Sequence, residues 1–511
     1  MKPLQILWEG NFSGTLSLAQ VNVELVRRLA TVATISIVPR TTDGTRTAVG
    51  IPADLVAHVG RRLPHVDVHL THGIPVIAQR PSAARWAWMQ PWEYGAALPL
   101  DWLPALHDEA DLVLGNSDHV RETFIAAGVP ADRVTTARLG IDPILFDPAA
   151  TVPRPLPSGK SFRFLYVGGL THRKGIDLLL AAYRRAFTSN DDVTLVIKPV
   201  DPDGLYRDRL YPDFDEETER HGPEIVVLPT DLPKEDLPAI YAACNAFVHP
   251  YRGEGFCLPL AEAMAMGLLV ICTDRGGASD FCRQDTAWLL PSDTVYFPHR
   301  RLDRRPVSNY PHWQEADLDA LTRAMRRAVA GTTERQTTAR RGQLLVREQF
   351  TWDRAASDLH AQLCALAAAP QREKHGAIML PPHPLAERNA ALLTDLGDTL
   401  LDAGDHEGAG RLFHRALRDL LPHLDAAGDR SLAAARALAG LARIAIAARI
   451  AENGYLFAQR AARYAPDDDK ILALLAEMAA RTGRTKEAEA VPPPVELMPM
   501  TSGYASPSSQ V

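Results

Sequence analysis

Short runs of branched and aromatic residues recur along the first part of the chain, each followed by a longer stretch whose apolar positions return every three or four residues. Leu4 to Trp8 is the first such run. The loop Glu9 to Thr15 follows, then a stretch of helical period from about Leu16 to Ala30, then Thr34 to Val38. Strand-like runs recur at Val66 to Leu70 and Leu112 to Leu114. After the proline-rich stretch Asp147 to Ser158 a second series begins with Phe162 to Val167. It continues through Val193 to Lys198, Ile225 to Leu228, Ala246 to His249 and Leu268 to Thr273. Strands alternating with amphipathic helices build parallel sheets covered on both faces, so the pattern predicts two α/β domains joined by a linker. Past residue 370 the strand-like runs stop. A polar, proline-containing segment leads into alanine-rich sequence of helical period, and the chain ends in a Pro- and Ser-rich tail from Val491 with the composition of a disordered segment.

Composition sharpens this only at the edges. A chain of 511 residues allows roughly three or four domains. Hydrophobic residues at 46% and charged residues at 23% describe an ordinary globular protein, and a net charge of −7 gives no support for a nucleic-acid or anionic-membrane partner. The five cysteines are odd in number and form no C-x-x-C pair; four lie in apolar stretches and read as small core residues of a reducing compartment. No stretch approaches the roughly 18 apolar residues of a membrane span, and the amino terminus runs directly into a strand-like segment, so a cytoplasmic location is expected.

Chemistry concentrates in Arg252-Gly253-Glu254-Gly255-Phe256-Cys257-Leu258-Pro259 and the helical run after it, which ends at Gly267. Glu254 falls in a Gly-rich loop after a strand, and Glu262 falls about two turns into the helix. The loop therefore lies at the carboxyl end of a strand in an α/β unit, where open parallel sheets bind ligands. Backbone N–H groups and a positive helix end face that crevice, and two carboxylates there suit a hydroxyl-rich ligand such as a ribose or hexose. The frame E-G-F-x-L-P-x-x-E-A-M-A-x-G resembles that of the family-4 retaining glycosyltransferases. That resemblance implies two Rossmann-like domains (the GT-B fold) facing a cleft, with a nucleotide-diphosphate sugar between them. It also implies that Glu262 holds the ribose hydroxyls, while Glu254 with the backbone of Gly255 and Phe256 meets the transferred sugar.

Phe164 to Leu180 reads as strand, flexible loop and helix, with Gly168, Gly169, Arg173 and Lys174 in the loop. It resembles the same family's V-G-R-L-x-x-x-K-G-x-D-x-L-L pattern, which puts Lys174 on the phosphate-binding lysine. The family arginine is Gly169 here, and Arg173, four residues on, is expected to supply the missing charge. Cations at this place stabilise the charge that develops on a leaving diphosphate. Thr273 to Gly277 resembles the family's strand-end turn, with glycines that let backbone pass close to the cleft.

The first half resembles the family more loosely. Gly10 and Gly14 lie in the loop after the first strand, which the resemblance places near the donor diphosphate. Gln90 to Gly95, Asn116 to Arg121 and Leu139 to Asp142 are similar to stretches of some members. Trp92 and Tyr94 are open to two readings, stacking on an acceptor sugar or packing in the core. His72, after a strand, is a candidate for a hydrogen bond to the transferred sugar or for a structural histidine. His65, Asp67 and His69 alternate in a way that permits a metal cluster, but the family works without one, and no metal or cofactor is expected. Asp201-Pro202-Asp203 is read as incidental.

Phe350-Thr351-Trp352-Asp353 resembles the family's F-[ST]-W segment, where the last helix, here to about Ala369, crosses back to the first domain. Leu396, Gly397, Leu400, Gly404, Ala409, Phe413 and Ala416 then fit the tetratricopeptide pattern, echoed at Ala458, Ala461 and Pro466 and again at Leu475, Ala476, Gly483 and Ala488; a generic alanine-rich bundle is the other reading. The expected plan is therefore α/β, two Rossmann-like (GT-B) domains followed by an all-α helical-repeat domain. Its boundaries are an acceptor-side domain over 1–150, a nucleotide-sugar domain with crossover helix over 160–369, a linker over 370–386, repeats over 387–490 and a tail over 491–511. The resemblance implies a metal-independent retaining transfer in polysaccharide or glycoconjugate synthesis. The acceptor would be a glycan, lipid or protein, with a possible protein partner for the repeats. Glu254, Arg173, Lys174 and His72 would be catalytic. Gly14, Gly168, Gly169, Arg173, Lys174, Glu254, Gly255, Phe256 and Glu262 would bind the donor. Two other classes fit part of the pattern. One is a related phosphorylase or sugar-phosphate synthase. The other is an inactive nucleotide-binding scaffold, which Gly169 favours.

Overall fold

The computed structural model describes residues 2–14, 17–41, 45–46, 49–74, 76–200, 222–229, 232, 234–297, 300–302, 305–370, 386–424, 431–448 and 450–484. Asp201 to Asp203, most of the linker expected over 370–386 and the whole tail lie outside them.

Two six-stranded, all-parallel sheets dominate residues 1–380. The first joins β1 (Gln5–Asn11), β2 (Thr34–Arg40), β3 (Val68–His72), β4 (Arg85–Gln90), β5 (Leu112–Gly115) and β6 (Val134–Thr136) in the order β2-β1-β3-β4-β5-β6. The second joins β7 (Phe162–Gly168), β8 (Val193–Pro199), β9 (Glu224–Val227), β10 (Ala246–His249), β11 (Leu269–Thr273) and β12 (Trp288–Leu290) in the order β12-β11-β10-β7-β8-β9. Both orders reverse beside the first strand of the sheet, which leaves a crevice at the carboxyl ends of the central strands. The α/β expectation of two Rossmann-like sheets is met. Between them, residues 137–161 form neither helix nor strand.

Two strands depart from what the periodicity predicts. Arg85-Trp86-Ala87-Trp88-Met89-Gln90 is buried from Trp86 onward, so it shows no alternation, and Trp88 packs with Trp102 and Phe124. The run expected at Val66 to Leu70 is in fact Val68–His72, so His72 belongs to β3 itself. The helix expected from Leu16 spans Ser17–Leu29.

The Trp352–Ala368 helix returns to the first domain. Asp353 pairs with Arg28 at 2.5 Å and Gln362 donates to the Thr136 carbonyl at 2.9 Å. Where it starts, Ile141 N donates to Phe350 O and Trp352 N to Ile141 O. A Cβ on Gly140 would stand 2.2 Å from the Thr351 carbonyl carbon, so only glycine lets these two segments meet.

Residues 381–511 form a separate unit, in which the helices Ala386–Asp402, His406–Leu424, Leu432–Ala447, Ala451–Tyr464 and Asp469–Thr482 are described. Phe413 explains the small residues: Cβ atoms on Gly397 and Gly440 would lie 2.5 Å and 2.4 Å from its ring, so two neighbouring helices close on one side chain. Arg436 and Arg443 add ion pairs to Asp398 and Asp402. Leu396, the first position of the tetratricopeptide match, is exposed. Among the described residues no helix is long and apolar enough to cross a membrane.

Candidate active site

Three segments of the second domain meet at the carboxyl ends of β7 and β10. After β10 the chain runs through Pro250, Tyr251 and Arg252 into Gly253 and Glu254, and the helix Leu258–Ala265 follows. After β7 it makes a single turn, His172–Lys174, before Gly175 (φ 73°) and the helix Ile176–Ala186. A Cβ on Gly175 would stand 2.0 Å from the Pro250 carbonyl oxygen, so a glycine is required where these loops touch. Arg252, with its side chain 3% exposed, roots the assembly. Its guanidinium takes both oxygens of Asp177 at 2.7 and 2.8 Å and both of Glu315 at 2.6 Å. Bidentate pairs of this kind fix direction as well as energy.

On that base Glu254 and the two cations expected beside the diphosphate converge. Lys174 Nζ donates to Glu254 Oε1 at 2.5 Å; Arg173 Nη1 donates to the Gly253 carbonyl at 2.6 Å and lies 3.8 Å from Glu254 Oε2. Burial pushes the Glu254 carboxyl up, but Lys174, Arg173 and His249 outweigh it and hold it below the ordinary range, so it is ionised. Glu262 is buried in the second turn of its helix, as expected, and accepts a hydrogen bond from Tyr241 Oη at 3.0 Å. Phe256 packs between Phe281 and Phe350. Gly168 lies 3.2 Å (as a Cβ) from Tyr166 Oη, which donates to the Gly169 carbonyl, and Gly14 (φ 94°) has open space around it.

The first domain closes over this centre with residues whose contacts the sequence does not disclose. Ser117 Oγ, which caps the Asp118–Ala126 helix, also donates to the Gly255 carbonyl at 2.7 Å. Glu93 Oε1 lies 3.8 Å from Arg173 Nη2, and the Glu93 carbonyl is so near Gly253 that a Cβ there would come within 2.1 Å. Arg138 pairs with Asp118 on its own side and with Asp280 across the same boundary. A serine before a helix is a readable cap; its second bond, 138 residues away, is not. Beside these contacts a cleft of about 740 Å³ separates the domains, lined by Asp118, His119 and Arg138 from one and Arg275, Gly276 and Asp280 from the other.

His72 is the last residue of β3, at the carboxyl end of the first sheet, and its buried Nε2 has no hydrogen-bond partner among the described residues. It is 1% exposed, its Nδ1 is bonded to Asn22 Oδ1 at 2.8 Å, and the cavity it borders holds only about 10 Å³, room for a water and not for a sugar. His69 lies between Ser82 and Glu9 and His65 pairs with Asp67, so these two do not converge on one ion. Trp92 and Tyr94, both half-buried, make edge-on contacts with each other and with Trp102 and Phe297. One trio of metal-type ligands does gather among the described residues, His249, Glu254 and Cys257, but the Glu254 carboxylate already holds Lys174.

Burial depresses four histidines below 6.5: His72 and His249 to about 3, His119 to about 4, and His312 as well. As pH falls below 6.5 the unfolded chain takes up protons that the folded one refuses, so stability is lost toward acid, by up to about 1.4 kcal/mol per histidine per pH unit. Glu254, held ionised, acts in the same direction at lower pH. A melting temperature flat from pH 7 to 8 and falling steadily from pH 6.5 to 4.5 is the expected scan; one flat to pH 4.5 would contradict it.

Residues 151–295 match the family model described as "Glycosyl transferases group 1". Over 289 residues the chain is 33% identical to a GDP-mannose-dependent alpha-mannosyltransferase of Mycobacterium tuberculosis, covering 54% of this chain and 64% of that one. It is also 33% identical over 174 residues to O-antigen chain mannosyltransferase B of Escherichia coli, covering 33% of this chain and 44% of that one. The chain thus spans less than two thirds of the length of either relative. Among solved structures, a glycosyltransferase from Rickettsia africae ESF-5 superposes with a TM-score of 0.53 at 16% identity, over 72% of this chain and 100% of that one. Anabaena Alr3699/HepE in complex with UDP-glucose gives 0.52 at 15%, over 71% of this chain and 100% of that one. At such identities the likeness is one of fold. The chain therefore has the GT-B fold, and the group 1 glycosyltransferase match falls on its second domain.

Proposed function

We propose that the protein is a retaining, metal-independent glycosyltransferase of the family-4 type. In this reading it moves a sugar, mannose from GDP-mannose as the first candidate, to an acceptor hydroxyl in polysaccharide or glycoconjugate synthesis. The observation that carries the reading is the buried Glu254 carboxylate held by Lys174 and flanked by Arg173, at a strand-end crevice covered by the first domain. A carboxylate and two cations in one low-dielectric crevice suit a ligand with hydroxyls at one end and a diphosphate at the other. The names of the mannosyltransferase relatives suggest the sugar and the base.

In this reading the bond from the anomeric carbon to the diphosphate breaks first. Lys174 and Arg173 offset the charge on the leaving group, and Arg173 takes the part of the arginine replaced by Gly169. The acceptor oxygen arrives on the same face, and the leaving phosphate takes its proton, so no separate base is needed. Glu254 holds the sugar hydroxyls and Glu262 the ribose. The cleft beside the Ser117–Gly255 contact, rich in side chains that bond hydroxyls, would take the acceptor. The helical unit, read as tetratricopeptide-like, would engage a large acceptor or a protein.

Thermal-shift titration with GDP, UDP, ADP and their mannose and glucose derivatives, with Glu262→Ala beside the wild type, tests the donor assignment. A rise in melting temperature selective for GDP and GDP-mannose and lost in the variant is expected, since the ribose contact is shared by nucleotide and donor. Preference for UDP would replace the base; no shift with any nucleotide would overturn the reading.

A further inference from the structure

Between β12 and the Leu318–Ala330 helix the second domain extends an arm. Its base is the antiparallel pair β13 (Ser292–Tyr296) and β16 (His312–Ala316), in register from Ser292↔Ala316 to Tyr296↔His312. A smaller pair, β14 (Arg301–Leu302) and β15 (Arg305–Pro306), lies farther out. This arm crosses to the first domain and bonds it by backbone. Gly95 N donates to His312 O at 2.8 Å, Ser308 N to Leu98 O at 2.8 Å and Leu100 N to Pro306 O at 3.1 Å, while Ser308 Oγ accepts from Leu98 N at 3.1 Å. Ala97, Leu302 and Val307 form a buried cluster under these bonds, with Trp92, Tyr94 and Phe297 packed against it. A Cβ on Gly95 would fall 1.9 Å from the His312 ring, so the crossing tolerates only glycine there.

The arm's base is tied to the active-site loop as well. Gln314 N donates to Arg252 O at 2.8 Å, and Glu315 supplies one of the two carboxylates on the Arg252 guanidinium. The arm therefore connects the root of the Glu254 loop to the first-domain stretch that begins immediately after Glu93.

We propose that this arm is a positioning element of the transferase site: by fixing residues 94–100 it keeps Glu93 opposite Arg173, and so holds the Arg173–Lys174 pair in register with Glu254. The proposal rests on the transferase reading. Arg173 stands at 3.8 Å from Glu93 and from Glu254, one carboxylate from each domain, with Nη1 fixed by Gly253 O. A donor diphosphate entering there exchanges with a carboxylate already in place. With Glu93 held by the arm, the guanidinium keeps its orientation through that exchange, and the reorganisation it would otherwise need is removed from the reaction. Glu93 is thus a positioning residue.

In the full-length chain, residues 297–311 are replaced by Asn-Gly. Tyr296 and His312 face each other at the end of the β13–β16 ladder, so a two-residue hairpin turn closes it and leaves the Arg252–Glu315 clamp in place. Glu93→Gln and Ser308→Ala accompany it. For each, kcat and KM are measured, GDP affinity is titrated, and the spread of domain separation is read from spin labels at Ala131→Cys and Asn190→Cys in a Cys364→Ser background. The expected result for the shortened arm is a kcat lower by about tenfold or more, GDP affinity within about threefold of wild type, and a broadened label distance. Glu93→Gln should lower kcat with GDP affinity and label distance unchanged. A shortened-arm chain with wild-type kcat and an unbroadened distance overturns the proposal. Should that chain fail to fold, unchanged kcat in both point variants overturns it instead. If the wild type transfers no sugar, the transferase reading fails, and the label distances alone then decide whether the arm sets the domain spacing.

Discussion

Glu254→Gln is expected to lower sugar transfer by about a hundredfold or more while nucleotide binding holds or improves. The substitution keeps the shape and removes one negative charge. Lys174, bonded to the Glu254 carboxylate at 2.5 Å, and Arg173, at 3.8 Å, then face an uncharged amide, while Glu93 stays 3.8 Å from Arg173. Freed of Glu254, the cations meet a diphosphate more readily, so GDP affinity should not fall. The sugar end loses its ionised acceptor, and turnover should fall through kcat rather than through donor binding. Breaking a buried ion pair by removing one partner costs about 3 kcal/mol, so the variant should also melt lower unless GDP is present. A variant with wild-type kcat would remove Glu254 from the site. One that loses GDP binding along with activity would mean that the pair is scaffolding for the loop.

Gly253→Ala is the second substitution with a large expected effect, and it works by volume. The new methyl carbon would stand 2.1 Å from the Glu93 carbonyl oxygen, far inside van der Waals contact. The oxygen is backbone, so no side-chain rotation relieves the collision. Each domain keeps its own core, and the only available response is to move the first-domain loop away. That separates Glu93 from Arg173 and stretches the Ser117–Gly255 bond. Misplacement by about 1 Å is enough to cost roughly a hundredfold in rate. The expected signature is a large fall in kcat, a melting temperature within a few degrees of wild type and unaltered GDP affinity. Gly159→Ala, in the stretch between the two sheets, is the control: a methyl group there meets open space, and the variant should behave as wild type. Equal activity in Gly253→Ala would show that turnover does not pass through the closed arrangement.

What the sequence discloses follows from the range over which its signals act. The E-G-F-x-L-P-x-x-E frame is local, and a strand, a tight loop and a short helix leave Glu254 and Glu262 little freedom, so their placement in loop and second turn is readable. A second local pattern places Lys174 and Arg173 near the same crevice; that their charges meet Glu254 is a tertiary fact. His72 reads as a residue beyond its strand because β3 starts two residues later than the apolar run suggests; it is the strand's last residue. The Arg85–Gln90 strand is hidden because burial on both faces erases alternation. Glu93 and Ser117 lie within motifs that the sequence singles out, yet their partners at Arg173 and Gly255 belong to another domain. No periodicity or propensity carries that information. The arm over 291–317 leaves no local trace, since most of its partners lie about two hundred residues earlier in the chain.

Arg252 has a consequence for how such a chain can change over generations. One guanidinium is neutralised by Asp177, from the helix after β7, and by Glu315, from the arm. Loss of either acid takes two hydrogen bonds from a buried guanidinium, and loss of the arginine leaves two acids facing each other. Three distant codons are therefore coupled, and single steps at any of them are penalised where concerted ones are not. The arm and the phosphate-side loop are bound into one heritable block, which drift can carry along intact or discard whole but cannot easily wear down residue by residue.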